Sequence, residues 1–424
     1  MYDLRLLDLQ PNLFYMSPEA ILYIILFISA ANYIFELVLD VVNLNYGKKP
    51  LPKAAEGIYE EDKYEKSMEY QRVQTRFGFL SGGISFIASF AFLALGGFGW
   101  LDGMFQPYFS NGIIRALVFF GALFVASDVL SIPFQWFGTF VIEERFGFNK
   151  STPKIFIMDK LKGYLLGALL GGGLLYLLML LLNNLGVQFW WVFWIAITVF
   201  TIFMNMFYTT LIMPLFNKLT PLEDGDLRKA IETYSNRVGF PLTNIFVIDG
   251  SKRSSKANAF FSGFGKKKKV VLYDTLIENH TTEELVAVFA HEVGHYKKKH
   301  IIQSLISSVL QTGVMLFIMS LLIFSEKLSL ALGADGLQLH VNLIAFAMLY
   351  TPISFVTGII SNVVSRKNEF EADHYAIETT NNVDLPLALK KLSVDNLSNL
   401  QPHPTYVFFH YSHPPLLTRL AAMQ

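Results

Sequence analysis

Long apolar stretches alternate with shorter polar connections along most of this chain. A helix needs about 20 mainly apolar residues to cross the hydrocarbon core of a bilayer. Seven stretches have this length or come close to it, namely residues 19–44, 77–101, 112–138, 161–182, 188–213, 301–324 and 339–362. The pattern therefore predicts an α-helical multi-pass membrane protein with seven transmembrane helices.

Basic residues are distributed unequally between the connections. Residues 45–76, 139–162, 214–300 and 363–424 together contain 31 of the 34 Lys and Arg residues. The positive-inside rule places such segments in the cytoplasm. The N-terminus and the other connections are therefore expected on the outer side. The long connection and the C-terminal tail are expected to share the cytoplasmic face, where they can meet in space.

The longest polar connection, 214–300, has the pattern of a small folded domain. Apolar residues recur at helical spacing over 227–238. The segments NIFVIDG, NAFFSGF and KVVLYDTL predict three strands, the last two joined by the turn GKKKK. A second helix is predicted to begin at Thr281, because Glu284 three residues later completes a capping-box sequence.

Composition agrees with a membrane protein and excludes several kinds of site. Hydrophobic residues make up 53% of the chain and charged residues 16%, whereas a soluble domain carries about 25% charged residues. The chain has no cysteine, so disulfides and thiolate metal sites are excluded. The formal net charge is zero. The protein therefore has no overall positive electrostatic field that would attract nucleic acid, and nucleic acid is not expected as a partner.

The second predicted helix of the insert contains HEVGH at residues 291–295. Residues four apart are neighbours on one helix face, so the imidazoles of His291 and His295 can bind one metal ion. Glu292 is turned from that pair by one position and can contact a water in an open metal position, as in zinc metalloproteases. The alternative is a polar helix face that binds no metal. His300 is interpreted as the interfacial start of the sixth span, with a donor near the metal as the alternative.

A catalytic zinc ion needs a third protein ligand, and the segment SRKNEFEADHYA at 365–376 offers carboxylates. Glu369 and Asp373 are four apart, so one can bind the metal while the other accepts a hydrogen bond from a ligand histidine. Glu371 is a rival ligand that spacing alone does not exclude. An ordinary solvated acidic helix face is the remaining alternative.

The motifs HEVGH, SRKNEFEAD and YSHPPLLTRL occur in this order, together with EERFGFNKST at 143–152 and NAFFSGF at 258–264. They resemble the type I CAAX prenyl endopeptidases, which are integral-membrane zinc proteases that cleave after a prenylated cysteine. The resemblance covers nearly the whole chain. It implies seven helices forming a barrel around a hydrated chamber, with one zinc ion at the cytoplasmic end. It also favours Glu369 over Glu371 as the third ligand.

Two further groups of residues are candidates for contacts with a substrate. His413 in YSHPPLL is interpreted as a donor that stabilises the oxyanion of a peptide under attack, and the alternative is a loop anchor between prolines. The resemblance supports the donor role and implies an orienting role for Arg419. Asn258, Ala259 and Phe260 are expected to form an edge strand that pairs with an extended substrate backbone.

These observations divide the chain into four parts. Residues 1–213 are expected to contain five transmembrane helices with cytoplasmic loops, and 214–300 a cytoplasmic, zincin-like catalytic domain with a small β-sheet. Residues 301–362 are expected to form the sixth and seventh spans. Residues 363–424 are expected to form a cytoplasmic segment that supplies the third zinc ligand.

The predicted function is that of a membrane zinc metalloendopeptidase with one Zn²⁺ held by His291, His295 and Glu369. The lipid bilayer and a peptide or protein substrate are the expected partners, and the resemblance implies prenylation at a C-terminal cysteine. A bacterial inner membrane is the expected location, or the endoplasmic reticulum membrane if the source is eukaryotic. One alternative is a quality-control protease for membrane or translocation-clogging proteins. Another is a transporter or scaffold with a structural zinc. The sequence predicts no oligomeric state.

Overall fold

A computed structural model describes residues 16–47, 50, 55–58, 60–242, 244–262 and 269–424. The first half of the chain forms helices α1 Pro18–Tyr46, α2 Glu61–Ala94, α3 Gly97–Phe105, α4 Gly112–Phe137, α5 Glu144–Phe146, α6 Pro153–Leu166, α7 Gly172–Leu185, α8 Phe189–Leu211 and α9 Met213–Phe216. Two π-helical turns, Gly138–Glu143 and Gly167–Gly171, join α4 to α5 and α6 to α7.

The second half of the chain contains strands and helices. The strands are β1 Leu219–Pro221, β2 Asn244–Ile248, β3 Ala259–Ser262 and β4 Lys269–Tyr273. The helices are α10 Asp226–Arg237, α11 Asp274–Asn279, α12 Thr282–Lys297, α13 His300–Leu322, α14 Glu326–Ala331, α15 Leu339–Thr379, α16 Asp384–Asp395, α17 Pro404–His410 and α18 Leu416–Ala422.

Six helical runs in the described residues are long and apolar enough to cross a membrane. They are Pro18–Tyr46, Glu61–Ala94, Gly112–Phe146, Pro153–Phe216, His300–Leu322 and Leu339–Thr379. The 64 residues of the fourth run would extend about 96 Å as one straight helix, roughly three times the hydrocarbon core. Instead the backbone turns at Gly186, where φ is +53°, and α7 packs against α8. This run includes both the fourth and the fifth predicted spans, and the total of seven stays a prediction.

Helix α15 continues far beyond the predicted seventh span, 339–362. It has 41 residues, so its length is about 60 Å, about twice the hydrocarbon core. Pro352 lies inside it without ending it, as membrane helices tolerate. The polar second half of α15 carries Glu369 and Asp373. A single helix therefore connects a membrane crossing to the candidate third ligand.

Strands β1 to β4 form a four-stranded sheet in the order β1-β2-β4-β3. Strand β2 is parallel to β4, whereas β1–β2 and β3–β4 are antiparallel. The three predicted strands are confirmed as β2, β3 and β4, and β1 was not predicted. The prediction for β4 was too long, because α11 begins at Asp274. Of the predicted turn GKKKK at 265–269, residues 265–268 lie outside the described residues, and Lys269 begins β4.

The sheet packs with α10, α12 and α16 around one apolar core. Its fully buried side chains include Ile231, Leu272, Leu276, Leu285 and Phe289. Burying a side chain of this size contributes about 1.5–3 kcal/mol. The helix that carries HEVGH is therefore held rigidly against the sheet by its apolar face.

A cavity of about 1240 Å³ lies beside α12. Its walls come from α8, α12, α13, α15, α16, β3 and the segment before α18. Along α13, Ser304 and Ser308 face it together with Ile301 and Leu305. This mixed lining suits both water and an extended peptide, and it agrees with the predicted hydrated chamber.

Candidate functional site

Helix α12 begins with the predicted capping box. The hydroxyl of Thr281 accepts a hydrogen bond from the backbone N–H of Glu284, whose carboxylate accepts one from the N–H of Thr281. Lys391 of α16 lies 2.7 Å from the same buried carboxylate. Burial alone would raise the pKa of Glu284, but Lys391 and the Thr281 N–H outweigh it and lower the pKa. This charged cap fixes the start of the helix.

The structure brings the three predicted metal ligands together. The Nε2 atoms of His291 and His295 are 3.2 Å apart. From Glu369, Oε2 lies 3.5 Å from His291 Nε2 and Oε1 lies 3.3 Å from His295 Nε2. One ligand atom from each residue lies within 4.8 Å of the others. Helices α12 and α15 thus supply one compact set of nitrogen and oxygen donors.

Close packing of α12 on α15 makes this convergence possible. Gly294, between the two histidines, faces Ala372 of α15. A Cβ at position 294 would lie only 3.0 Å from the Cα and carbonyl oxygen of Ala372. A side chain there would push α15 away and move Glu369 with it.

The donor set fits a metal ion. Oε2 of Glu369 is buried and has no hydrogen-bond partner among the described residues. Its nearest charged neighbours, Nε2 of His291 and Nη1 of Arg419, lie at 3.5 and 3.7 Å. Leaving a buried carboxylate oxygen without a hydrogen bond is costly, and a cation between it and two imidazole nitrogens would remove that cost. Imidazole nitrogen and carboxylate oxygen are usual zinc ligands.

Asp373 and Arg419 form a second layer around the histidines. Oδ1 of Asp373 lies 2.8 Å from Nδ1 of His291, which leaves Nε2 of His291 directed at the metal position. Arg419 donates to both carboxylate oxygens of Asp373, at 2.5 and 2.8 Å, and its Nη1 lies 3.7 Å from Glu369. Burial opposes protonation of His291, but Asp373 and Glu369 outweigh it and raise its pKa to about 9.

His300 combines the two interpretations given for it, the start of a helix and a position near the candidate metal ligands. It begins α13, and its Nδ1 lies 3.0 Å from Nδ1 of His295. Its Nε2 lies 3.2 Å from Glu371. The rival third ligand therefore contacts His300 rather than joining the donor set. Lys299 has a left-handed φ of +62°, which turns His300 back towards α12, and no local pattern predicts such a turn at a lysine.

Glu292 lines the cavity beside the donor set. Burial raises its pKa above the ordinary value, partly offset by His291 and His295. A carboxylate whose pKa is raised towards neutrality is well suited to take up and release a proton.

His413 also lines the cavity, and its Nε2 lies 3.3 Å from Oε1 of Glu369. Its ring is largely exposed, as a donor to an incoming substrate needs to be. Arg366 of α15 donates to the carbonyl oxygens of Val407 and Tyr411, at 3.1 and 2.5 Å. The loop with His413 is thus anchored on the helix that carries Glu369.

Asn258, Ala259 and Phe260 line the same cavity. Ala259 and Phe260 belong to β3, which is an edge strand of the sheet among the described residues. The carbonyl oxygen of Asn258 accepts a hydrogen bond from the N–H of Tyr273. An extended chain in the cavity therefore has a strand edge available for backbone pairing.

Two family models match the chain. Residues 41–218 match the model described as CAAX prenyl protease N-terminal, five membrane helices. Residues 221–424 match the model described as peptidase family M48.

Curated relatives and a solved structure are similar over most of the chain. A CAAX prenyl protease 1 homolog of Arabidopsis thaliana is 38% identical, covering 92% of this chain and 94% of the relative. CAAX prenyl protease 1 of Saccharomyces cerevisiae is 34% identical, covering 88% of each chain. The crystal structure of S. mikatae Ste24p has a TM-score of 0.88 and 34% identity, covering 95% of this chain and 99% of that one.

Proposed function

This chain belongs to peptidase family M48, and we propose that it is a zinc endopeptidase acting on prenylated protein C-termini. As a member of that family it is an integral multi-pass membrane metalloendopeptidase. The transporter or scaffold alternative is therefore not supported. The observation that carries the proposal is the convergence of His291, His295 and Glu369, next to Glu292, on the wall of a 1240 Å³ cavity.

In this proposal His291, His295 and Glu369 hold one zinc ion. A zinc ion bound there would supply a Lewis acid that lowers the pKa of water and polarises a peptide carbonyl. Asp373, backed by Arg419, keeps Nε2 of His291 directed inward. Such outer partners fix the orientation of a ligand and raise its basicity.

Glu292 transfers the proton, and His413 stabilises the tetrahedral intermediate. Glu292 takes a proton from the attacking water and gives it to the nitrogen of the departing peptide. His413 donates a hydrogen bond to the oxygen that becomes negative when the carbonyl is attacked. Both residues line the cavity.

Substrate is held by the edge of β3. Asn258, Ala259 and Phe260 pair with its extended backbone and hold it in the cavity. The names of the relatives, CAAX prenyl protease 1 and its homologs, support a substrate with a prenylated C-terminal cysteine. The five-helix family model over 41–218 supports a division of the chain near residue 213.

The site faces the cytoplasm in this proposal. The support is the distribution of Lys and Arg, since 214–300 and 363–424 are basic connections of the cytoplasmic kind. The choice between a bacterial inner membrane and the endoplasmic reticulum stays a prediction.

A pair of peptides tests the proposal. The purified protein is incubated with a farnesylated peptide ending in cysteine and three further residues, and with its unprenylated twin. We expect release of the C-terminal tripeptide from the first peptide only. Equal cleavage of both would favour the quality-control alternative. Cleavage of neither by zinc-loaded protein would overturn the proposal.

A further inference from the structure

We propose that Lys256 is a positioning residue that ties the substrate strand β3 to the transmembrane half of the molecule. This inference rests on the proposed pairing of substrate with residues 258–260. It assigns a role to the motif EERFGFNKST at 143–152, which contributes no residue to the metal centre.

Lys256 reaches across to the transmembrane helices. Its Nζ lies 3.0 Å from Oε2 of Glu143 and 2.8 Å from the hydroxyl oxygen of Tyr70. The same Nζ lies 4.4 Å from the centroid of the Phe148 ring. Tyr70 and Gln74 of α2 both donate to Oε1 of Glu143. Tyr70, Gln74 and Glu143 are thus hydrogen-bonded to one another independently of Lys256. The ammonium group of Lys256 binds to this group of side chains.

The backbone around Lys256 is paired with the same motif. The carbonyl oxygen of Phe148 accepts a hydrogen bond from the N–H of Ser255, and the N–H of Lys150 donates to the carbonyl of Arg253. The hydroxyl of Ser255 donates to the carbonyl oxygen of Gly147 at 3.0 Å. Residues 147–150 thus hydrogen-bond to the segment that precedes β3.

Further contacts fix the segment as far as the start of the substrate strand. The side-chain amide of Asn396 contacts both the N–H and the carbonyl oxygen of Ala257, at 3.2 and 3.3 Å. The hydroxyl of Thr275 donates to the carbonyl of Lys256 at 3.0 Å. No long flexible connection separates Lys256 from Asn258, so a shift of the lysine is passed directly to the strand.

This arrangement predicts an effect on binding rather than on chemistry. The metal ligands lie on α12 and α15, which Lys256 does not touch, so the catalytic groups keep their geometry when the lysine is removed. Backbone pairing along β3 is the same before and during the reaction. Loss of such uniform binding raises KM and leaves kcat nearly unchanged.

The test compares Lys256→Met with Lys252→Met on the prenylated peptide. Lys252 is an exposed lysine of the same loop. Among the described residues, its Nζ has one polar contact, at 3.4 Å with the carbonyl of Phe216. We expect Lys256→Met to raise KM about ten- to a hundred-fold, the effect of one lost charge-assisted hydrogen bond. Metal content and kcat should stay near the wild-type values. Lys256→Arg should recover most of the loss, and Lys252→Met should resemble wild type.

Two further variants distinguish failure of this inference from failure of the proposed substrate strand. Tyr70→Phe removes one partner of Lys256 without burying a new group, and should raise KM in the same direction by less. Ala259→Pro tests the substrate strand itself, because it removes a backbone N–H of β3 that does not pair with β4. If Ala259→Pro raises KM and neither Lys256→Met nor Tyr70→Phe does, this inference is overturned and the proposed function stands. If Ala259→Pro also has no effect, the proposed strand role fails and this inference fails with it. Loss of metal or of kcat in Lys256→Met would show a general structural role and overturn the inference.

Discussion

Nδ1 of His300 lies 3.0 Å from Nδ1 of His295 and connects that ligand to Glu371, 3.2 Å away on the other side of the ring. His291 has a direct carboxylate partner in Asp373. Each of the two histidines is therefore oriented by an acidic residue of α15, one directly and one through a third imidazole. In the proposed metal site, this asymmetry makes His300 the residue that orients the candidate ligand His295.

Replacing His300 with Ala is expected to lower zinc affinity about 10- to 100-fold, because His295 loses the partner that fixes its tautomer. Competition with a chelator measures the change. His374→Ala is the matched control, since this exposed histidine of α15 pairs only with Glu378 at 3.1 Å. Equal affinities for the two variants would contradict the role of His300.

Replacing Glu292 with Gln is expected to leave zinc bound and to lower kcat about 10²- to 10⁴-fold, the usual contribution of a general acid–base group. The amide keeps the shape of the side chain but accepts no proton from water. Peptide cleavage and metal content are measured on the same preparation. Full activity in this variant would remove Glu292 from the mechanism.

Replacing His413 with Phe is expected to lower kcat about 10²- to 10³-fold with little change in KM, because the donor acts on charge that develops in the transition state. Ser412→Ala removes only the hydroxyl 3.0 Å from Nδ1 of His413 and should have a much smaller effect. A rise in KM alone would assign His413 to substrate binding instead.

Replacing Glu284 with Gln is expected to destabilise the start of α12 by about 1–2 kcal/mol at neutral pH, because Lys391 loses its anionic partner while the amide oxygen still accepts from the Thr281 N–H. The folded-state pKa of Glu284 is lowered, so its charged form stabilises the fold above the unfolded-state pKa of about 4.3. That stability is lost as the pH falls through the folded-state pKa. The difference in Tm from wild type should therefore be largest near pH 7 and shrink below about pH 4.5.

Glu283→Gln provides the control, because Glu283 is an exposed residue of the same first turn. Thermal unfolding of the detergent-solubilised protein at several pH values gives all three curves. A Tm difference for Glu284→Gln that does not change with pH would contradict the assignment of a charged cap.

Local sequence patterns predict many of the helices and the paired histidines, because each pattern lies within a short stretch of the chain. Apolar stretches predict the spans, and the capping box predicts the helix that begins at Thr282. The spacing of His291 and His295 likewise suffices to predict a shared metal position. The choice between Glu369 and Glu371 is different, because both lie on one helix and spacing leaves both open. The resemblance favours Glu369, and the packing of α12 on α15 places it beside the two histidines.

Other features depend on contacts between residues that are far apart in the sequence. Strand β1 has three residues and forms because β2 offers it an edge. The predicted second span, 77–101, extends past the end of α2 at Ala94, since apolar composition continues through the turn at Gly96, where φ is +70°. The pairing of 147–150 with the segment before β3 joins parts of the chain about a hundred residues apart.

The uninterrupted path of α15 has a consequence for the choice of scissile bond. Glu369 lies seven residues beyond the predicted end of the last crossing at 362, which is about 10 Å along a helix. In the proposed function, a peptide whose prenyl group is anchored in lipid would meet the candidate site at a height that α15 sets. The proposal then predicts that the bond to be cut is selected by its distance from the anchor as well as by the side chains that flank it.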